Sequence, residues 1–472
     1  MTDPRAIDLG DLVAVDRAVA LARHANDKWN QQKFADSEHA ADRDPWARGR
    51  DSLRSRNYRK IAGKSVFDGL AARPIIAHET DLISALRAHV MSLVIARVTF
   101  ETDRTLAEKV NEPLGMLVLG KTEKISWRCA LSGLLTTRAP FEADANLKAL
   151  AECGAEVASA AREHRARRAE AANRLGATSA YGDFSPGMAF ACAAARALLD
   201  STEDVARDSV RDAIKRSDNM RERSSAADVI AVATARDAIS GWPSRLTARW
   251  LEELFGAHVR GLSLEPVFPS TVVGASSFVR ALEIFGFAFG RAIAFKSRPF
   301  VLADDALTSG AHRVGSLFGA VASRAAFHRR ALGLGSEDAD RNARALARTA
   351  LIEARLRAAR LLLSETAPSR PLFEEVTFRV FGASLPTELF GAWPLPRADE
   401  PARFLAALGA PDLAQSFTDR FDEDWFRNPR AFETLRQSLP KSPYQSQDRD
   451  ADESAATQAA RNFAHALEAR LA

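Results

Sequence analysis

Histidine beside glutamate is the first pattern to weigh. Two imidazoles one helical turn apart, with a glutamate between them, can hold zinc and activate a water. The sequence places His78 next to Glu79, but Leu82 stands where the second imidazole would be. His89 falls near the same helical face, yet the α-helical rise leaves it about 16 Å from His78, beyond the reach of one ion. His312 and His328 are also too far apart on a helix to share a ligand. His312 follows Thr308, Ser309 and Gly310 and suits a helix start lining a cleft, where Asp304 or Asp305 could orient it; a core or cap histidine is the plainer reading.

Other chemistries find less support. Ala62-Gly63-Lys64-Ser65 matches the second half of a phosphate loop, but Tyr58 occupies the position of the first glycine and no strand is expected before it. There is no G-x-S-x-G nucleophile elbow. Residues 43–64 are rich in base: Arg48, Arg50, Arg54, Arg56, Arg59 and Lys60 could neutralise phosphates, while Trp46 and Tyr58 could stack on bases. The plainer reading is an arm that folds back onto acidic helices of its own chain.

The stretch Arg280 to Ala288, RALEIFGFA, resembles the R-x-L-H-E-x-G-H-A helix of thimet-type oligopeptidases, which are helical gluzincins. Gly286 and Ala288 match that pattern. Glu283 stands at the first histidine, Ile284 at the catalytic glutamate and Phe287 at the second histidine. In that family a downstream helix supplies a further glutamate ligand, whereas here no glutamate occurs between Ile284 and Ser336. The resemblance thus implies a degenerate scaffold that keeps a cleft near Glu283, Phe287 and His312 and holds no metal, since Ile284 and Phe287 can neither coordinate an ion nor accept a proton. The alternative is a close-packed core helix that uses Gly286 and Gly290 to admit a neighbour.

The elements that must position these residues are helical. Alanine, leucine, arginine and glutamate dominate, and all favour helix. The region from Ser276 to Arg330, dense in phenylalanine and glycine, predicts two helices at the centre of the packing. Periodicity predicts further helices over 11–29, 82–98, 144–175, 186–199, 203–215, 226–240, 244–255, 337–364 and 373–385, with Ser336 capping the one that starts at 337. An arginine stripe at Arg341, Arg344, Arg348 and Arg355 reads as a solvated or ion-paired face. Gly115 to Gly120 could be a short strand. The expected fold is all-α, a large multi-helix array around a central cleft with at most one or two minor strands. Its divisions are an N-terminal helix and mobile basic arm (1–64), an N-terminal helical region (65–242), a C-terminal helical core (243–437), and a linker with a terminal helix (438–472).

At 472 residues the chain can bury a large core. With 65 basic against 61 acidic side chains its net charge is only +4, so it is no polycation and any nucleic-acid role needs a local patch. Three scattered cysteines suggest neither a disulfide framework nor a cysteine zinc site and fit a reducing cytoplasm. The start, MTDPRAIDLGDL, lacks a signal sequence, and the most apolar window is broken by Glu283 and Arg291, so no membrane contact is expected. The sequence reading is therefore a catalytically inactive, peptidase-like helical protein that binds a peptide or protein in a cleft, with no cofactor. If active, it would be a metallopeptidase-like hydrolase. The alternative is a helical interaction protein that engages nucleic acid or a protein partner through residues 43–64.

Overall fold

Helix-favouring residues run through nearly the whole chain, and the computed structural model is correspondingly helical. It describes residues 8–32, 56–74, 79–118, 121–127, 147–177, 188–215, 226, 229, 232, 248–256, 275–294, 299–303, 310–365, 369–383, 385–393, 399–438 and 453–471. The one described sheet is a hairpin, Pro113–Val118 paired antiparallel with Lys121–Ser126, and it includes most of the run read as a short strand.

The N-terminal helices close over one apolar cluster. In Leu12–Gln32 the side chains of Leu12, Val15, Val19 and Ala22 recur at helical spacing and are buried, while Val13 and Leu21 face out. Asp11 starts this helix by accepting the Val13 and Ala14 N–H groups, each at 3.0 Å. Short helices Arg56–Ile61 and Lys64–Ala72 pack with it against Thr80–Val98, which turns at Thr99 into Phe100–Asn111. The basic arm expected to extend to residue 64 is thus helical at its distal end, and a helix rather than a strand precedes Gly63. Residues 33–55 lie outside the described set.

The second cluster is built around Ser336–Glu365, flanked by Met188–Ser201, Arg370–Phe381, Glu400–Leu408 and Glu453–Leu471, with Gly154–Asn173 alongside. Helix Arg370–Phe381 has clean punctuation: the Leu372 N–H donates to Ser369 Oγ at 3.4 Å, Pro371 sits in the first turn, and Gly382 ends the helix at φ 60°. The expected arginine stripe divides. Arg341 is exposed, but Arg348 and Arg355 are buried. Arg355 joins helices, donating to the carbonyls of Leu199 and Arg379 and to Thr202 Oγ1, and pairing with Glu203 at 3.2 Å.

The third cluster is aromatic. Among its described residues, the stretch expected to form two helices shows four, Ala275–Ala294, Phe300–Ala303, Gly310–Val321 and Ala325–Ala331; Pro299 starts a new turn and residues 322–324 break the run after Val321. Phe278, Phe285, Phe289, Phe318 and Phe327 are fully buried there beside Phe255 of Ala248–Phe255 and Trp425, Phe426 and Phe432 from the segments around Ala410–Phe421 and Pro429–Ser438. Phe255 stacks on Phe285 with centroids 5.1 Å apart, and its ring lies 4.8 Å from Phe318. Asp16 ties this region to the first helix by accepting the N–H groups of Phe300 at 2.8 Å and Val301 at 2.9 Å. No single helix among the described residues is long and apolar enough to cross a membrane.

Candidate functional site

Helices Ala275–Ala294 and Gly310–Val321 touch through their backbones, and glycine makes that approach possible. A β-carbon at Gly286 would lie 2.8 Å from the Val314 carbonyl oxygen, and one at Gly315 would lie 2.7 Å from the Glu283 carbonyl oxygen. One at Gly319 would fall 2.6 Å from Glu283 Cγ. The contact therefore fixes where the Glu283 helix aims its side chains. Phe287 meets His312 across the pair, with ring centroids 4.6 Å apart, and the Arg291 guanidinium lies over the Phe287 ring at 5.8 Å.

Glu283 points to a different neighbour. Arg357 Nη2 donates to both of its carboxylate oxygens, at 2.9 and 3.1 Å, with the Arg357 side chain only 4% and Glu283 19% exposed. Glu353, one turn earlier on the Arg357 helix, lies 3.5 Å from the same nitrogen. Arg360 donates to Glu400 at 3.2 Å, so the charges link Ala275–Ala294, Ser336–Glu365 and Glu400–Leu408. Burial works to lower the Arg357 pKa, but Glu283, Glu353 and Glu400 outweigh it and hold the guanidinium above its usual range. Burial likewise works to raise Glu353, and Arg357, Arg280, Arg360 and Arg403 reverse that and hold its carboxyl below the ordinary value.

Beside these charges lies a partly open cavity of about 50 Å³. Glu283, Glu353, Arg357 and Arg470 line it together with Ser316, Ser323 and Thr349, the remainder of its wall being small or apolar. That is room for one or two waters or a group of similar size, well below the roughly 300 Å³ at which drug-sized ligand sites begin.

Of the expected cleft residues, Glu283 borders this cavity, whereas Phe287 and His312 pair with each other outside its lining. Asp304 and Asp305 fall outside the described residues, as does His78. His89 is buried, its ring edge-on to Phe300 at 5.9 Å. In the basic arm, Tyr58 is corrected from a base-stacking to a core residue: it is buried and its hydroxyl donates to the Leu93 carbonyl at 3.2 Å. Burial, opposed by Arg23 and Arg97, pushes that phenol above its usual range. Arg59 is exposed and Lys60 half-buried; Trp46, Arg48, Arg50, Arg54 and the side chain of Arg56 lie outside the described set. Lys64 of the partial phosphate loop is engaged by Asp68 at 2.9 Å. The sequence reading missed Arg357, Glu353, Glu400 and Arg470. The available signal was Glu283 itself, a charge on an otherwise apolar helix face that must find a cation once buried.

No protein-family model matches the sequence, and no curated protein sequence matches it. Solved structures do. A protein described as an oligoendopeptidase F, from Bacillus anthracis str. Ames, superposes with a TM-score of 0.54 at 10% identity, covering 96% of each chain. The fold is similar to that of oligoendopeptidase F. The Enterococcus faecium oligoendopeptidase-F gives 0.54 at 11% identity over 97% of this chain and 90% of its own. A protein described as a peptidase, from Chlamydophila abortus, gives 0.53 at 10% identity over 98% and 89%. The likeness spans the whole chain and establishes an oligopeptidase-like scaffold.

Zinc, which the gluzincin resemblance brings with it, does not fit residues 283–287. Both Glu283 oxygens are taken by Arg357, Ile284 carries no donor, and Phe287 is packed on His312. Among the described residues no three His, Cys, Asp or Glu side chains are grouped to hold an ion.

Proposed function

We propose that this protein uses a peptidase-like scaffold to bind a peptide or protein segment without hydrolysing it. The observation that supports this reading is the two-oxygen contact of Arg357 with Glu283, at the position that the resemblance assigns to a metal-binding histidine. A carboxylate whose two oxygens both accept from a buried guanidinium already has its charge matched, and that cation opposes the approach of a metal ion to the same group. The small size of the adjacent cavity adds that a bound peptide inserts one terminus or side chain there and leaves its backbone outside. The proposal places the protein in the cytoplasm, on the three widely spaced cysteines.

The test is incubation of the purified full chain with a mixed peptide pool and equimolar zinc, analysed by mass spectrometry and by retention of peptides on the immobilised protein. The expected result is retention without new fragments. Fragments that vanish on adding a chelator, or a complete lack of retention, would overturn the proposal.

A further inference from the structure

The cavity beside Glu283 holds two arginines in unlike situations. Arg357 is surrounded by Glu283 and Glu353, and Arg360 close by has Glu400. Arg470, near the end of Glu453–Leu471, reaches the same cavity with one Nη1–H donated to Ser323 Oγ at 2.9 Å and with no described carboxylate within ion-pairing distance. A guanidinium has five N–H groups in a planar fork that matches a carboxylate, and a half-buried one without an anion forgoes that contact. Burial lowers the Arg470 pKa to about 10, with Arg324 adding to the effect and Asp412 opposing it, so the group remains a cation at neutral pH.

The other charges around the cavity do not compete for Arg470. Glu283 is held by Arg357, and Glu353 faces Arg357, Arg280, Arg360 and Arg403. What remains is the Arg470 cation, which feels Asp412 but makes no ion pair with a described carboxylate, and a volume of about 50 Å³ walled by small residues such as Gly319, Ala320 and Ala350; the Ser323 hydroxyl is itself spent on the Ala320 carbonyl at 2.8 Å. A chain cannot pass through that space, but an end can enter it.

We propose that this cavity is a carboxylate pocket, in which the guanidinium fork of Arg470, positioned by its hydrogen bond to Ser323, receives the carboxylate of a peptide ligand, at its C-terminus or on an acidic side chain. The peptide origin of that carboxylate rests on the binding function proposed above; the pocket does not.

Calorimetric titrations at constant ionic strength test both. The probes are acetate and acetamide, then N-acetyl-Gly-Ala, its amide, and N-acetyl-Gly-Asp amide, each against the full-length protein and the variants Arg470→Gln and Ala350→Leu. Glutamine keeps a donor for Ser323 but removes the charge and the fork; leucine fills the cavity from the neighbouring helix while leaving the arginine itself in place. Acetate should bind and acetamide should not, and both variants should weaken acetate by roughly tenfold or more, the effect of losing a charge-assisted hydrogen bond. The free-acid dipeptide binding alone identifies a terminal carboxylate, and binding of the aspartyl amide identifies a side chain. Equal binding of acetate and acetamide, or acetate affinity unchanged in Ala350→Leu, overturns the pocket even if Arg470→Gln fails to fold. Acetate bound through Arg470 with no dipeptide bound supports the pocket and refutes the peptide reading. Peptides held equally by Arg470→Gln refute the pocket and leave the peptide reading standing.

Discussion

Replacing Glu283 with glutamine isolates the central ion pair, because it keeps the shape and removes the charge. Arg357 is 4% exposed and receives two contacts from Glu283, at 2.9 and 3.1 Å, against one at 3.5 Å from Glu353. Breaking a fully buried pair by removing one partner costs about 3–5 kcal/mol. Here Glu283 is 19% exposed and Glu353 remains nearby, so water and the second carboxylate recover part of the loss. The glutamine oxygen can accept one hydrogen bond while its NH₂ group opposes a guanidinium N–H. The net expectation is a loss of about 2–3 kcal/mol. Urea unfolding followed by circular dichroism reads this as a lowered midpoint with unchanged slope. The double replacement of Glu283 by leucine and Arg357 by methionine removes both charges and should lie within about 1 kcal/mol of Glu283→Gln or above it in stability, since an apolar pair needs no compensation. A Glu283→Gln midpoint indistinguishable from that of the unaltered protein would show the pair to be dispensable.

Two further outcomes follow from the same region. Gly286→Ala would normally gain up to about 1 kcal/mol of helix propensity. Its β-carbon, however, would lie 2.8 Å from the Val314 carbonyl and 2.9 Å from Phe318, so the expected sign is a loss of about 1–3 kcal/mol, read as a lower melting temperature; any rise would disprove the tight helix contact. His328 is buried, its Nε2–H donating to the Ala322 carbonyl at 2.6 Å, and burial lowers its pKa from 6.5 to about 4 despite that carbonyl. The unfolded chain therefore takes up this proton first. The stability associated with neutral His328 is complete above about pH 6.5 and is lost as pH falls towards 4, by about 3 kcal/mol in all. His328→Gln should flatten the stability profile between those values, and an unchanged profile would show the histidine to be uninvolved.

Helices announced by strong periodicity were readable from the residues alone. Ser336–Glu365 begins at the serine expected to cap it, and Leu12–Gln32 buries Leu12, Val15, Val19 and Ala22 of the apolar residues that suggested it, whereas Leu21, of the same set, is exposed. The division of the central stretch, which shows four helices among the described residues, was not readable, because the polar residues of 295–309 beside Pro299, such as Lys296, Arg298, Asp304 and Asp305, suit the exposed face of a helix as well as a connection between helices. Tyr58 was misread for a similar reason: the charges around it describe the exposed face of Arg56–Ile61, while the residue itself belongs to the buried face with Ile61. Glu283 was singled out, but its partner lies on another helix 74 positions later, and no local spacing could select Arg357 among so many arginines. The carboxylate's situation, rather than its presence, was what the chain order concealed.

The helix Glu453–Leu471 covers Met188–Ser201 by burying Ala456, Ala460, Phe463 and Leu467 in the same cluster as Ala191, Cys192, Ala195 and Leu198. Its partner is thus made long before it. On the ribosome, a surface of alanine, cysteine and leucine must wait uncovered until translation has passed position 471, with the central helix Ser336–Glu365 already packed on one side of it. A chain ending ahead of residue 453 would leave that alanine and leucine surface in water and should aggregate rather than work as a smaller protein.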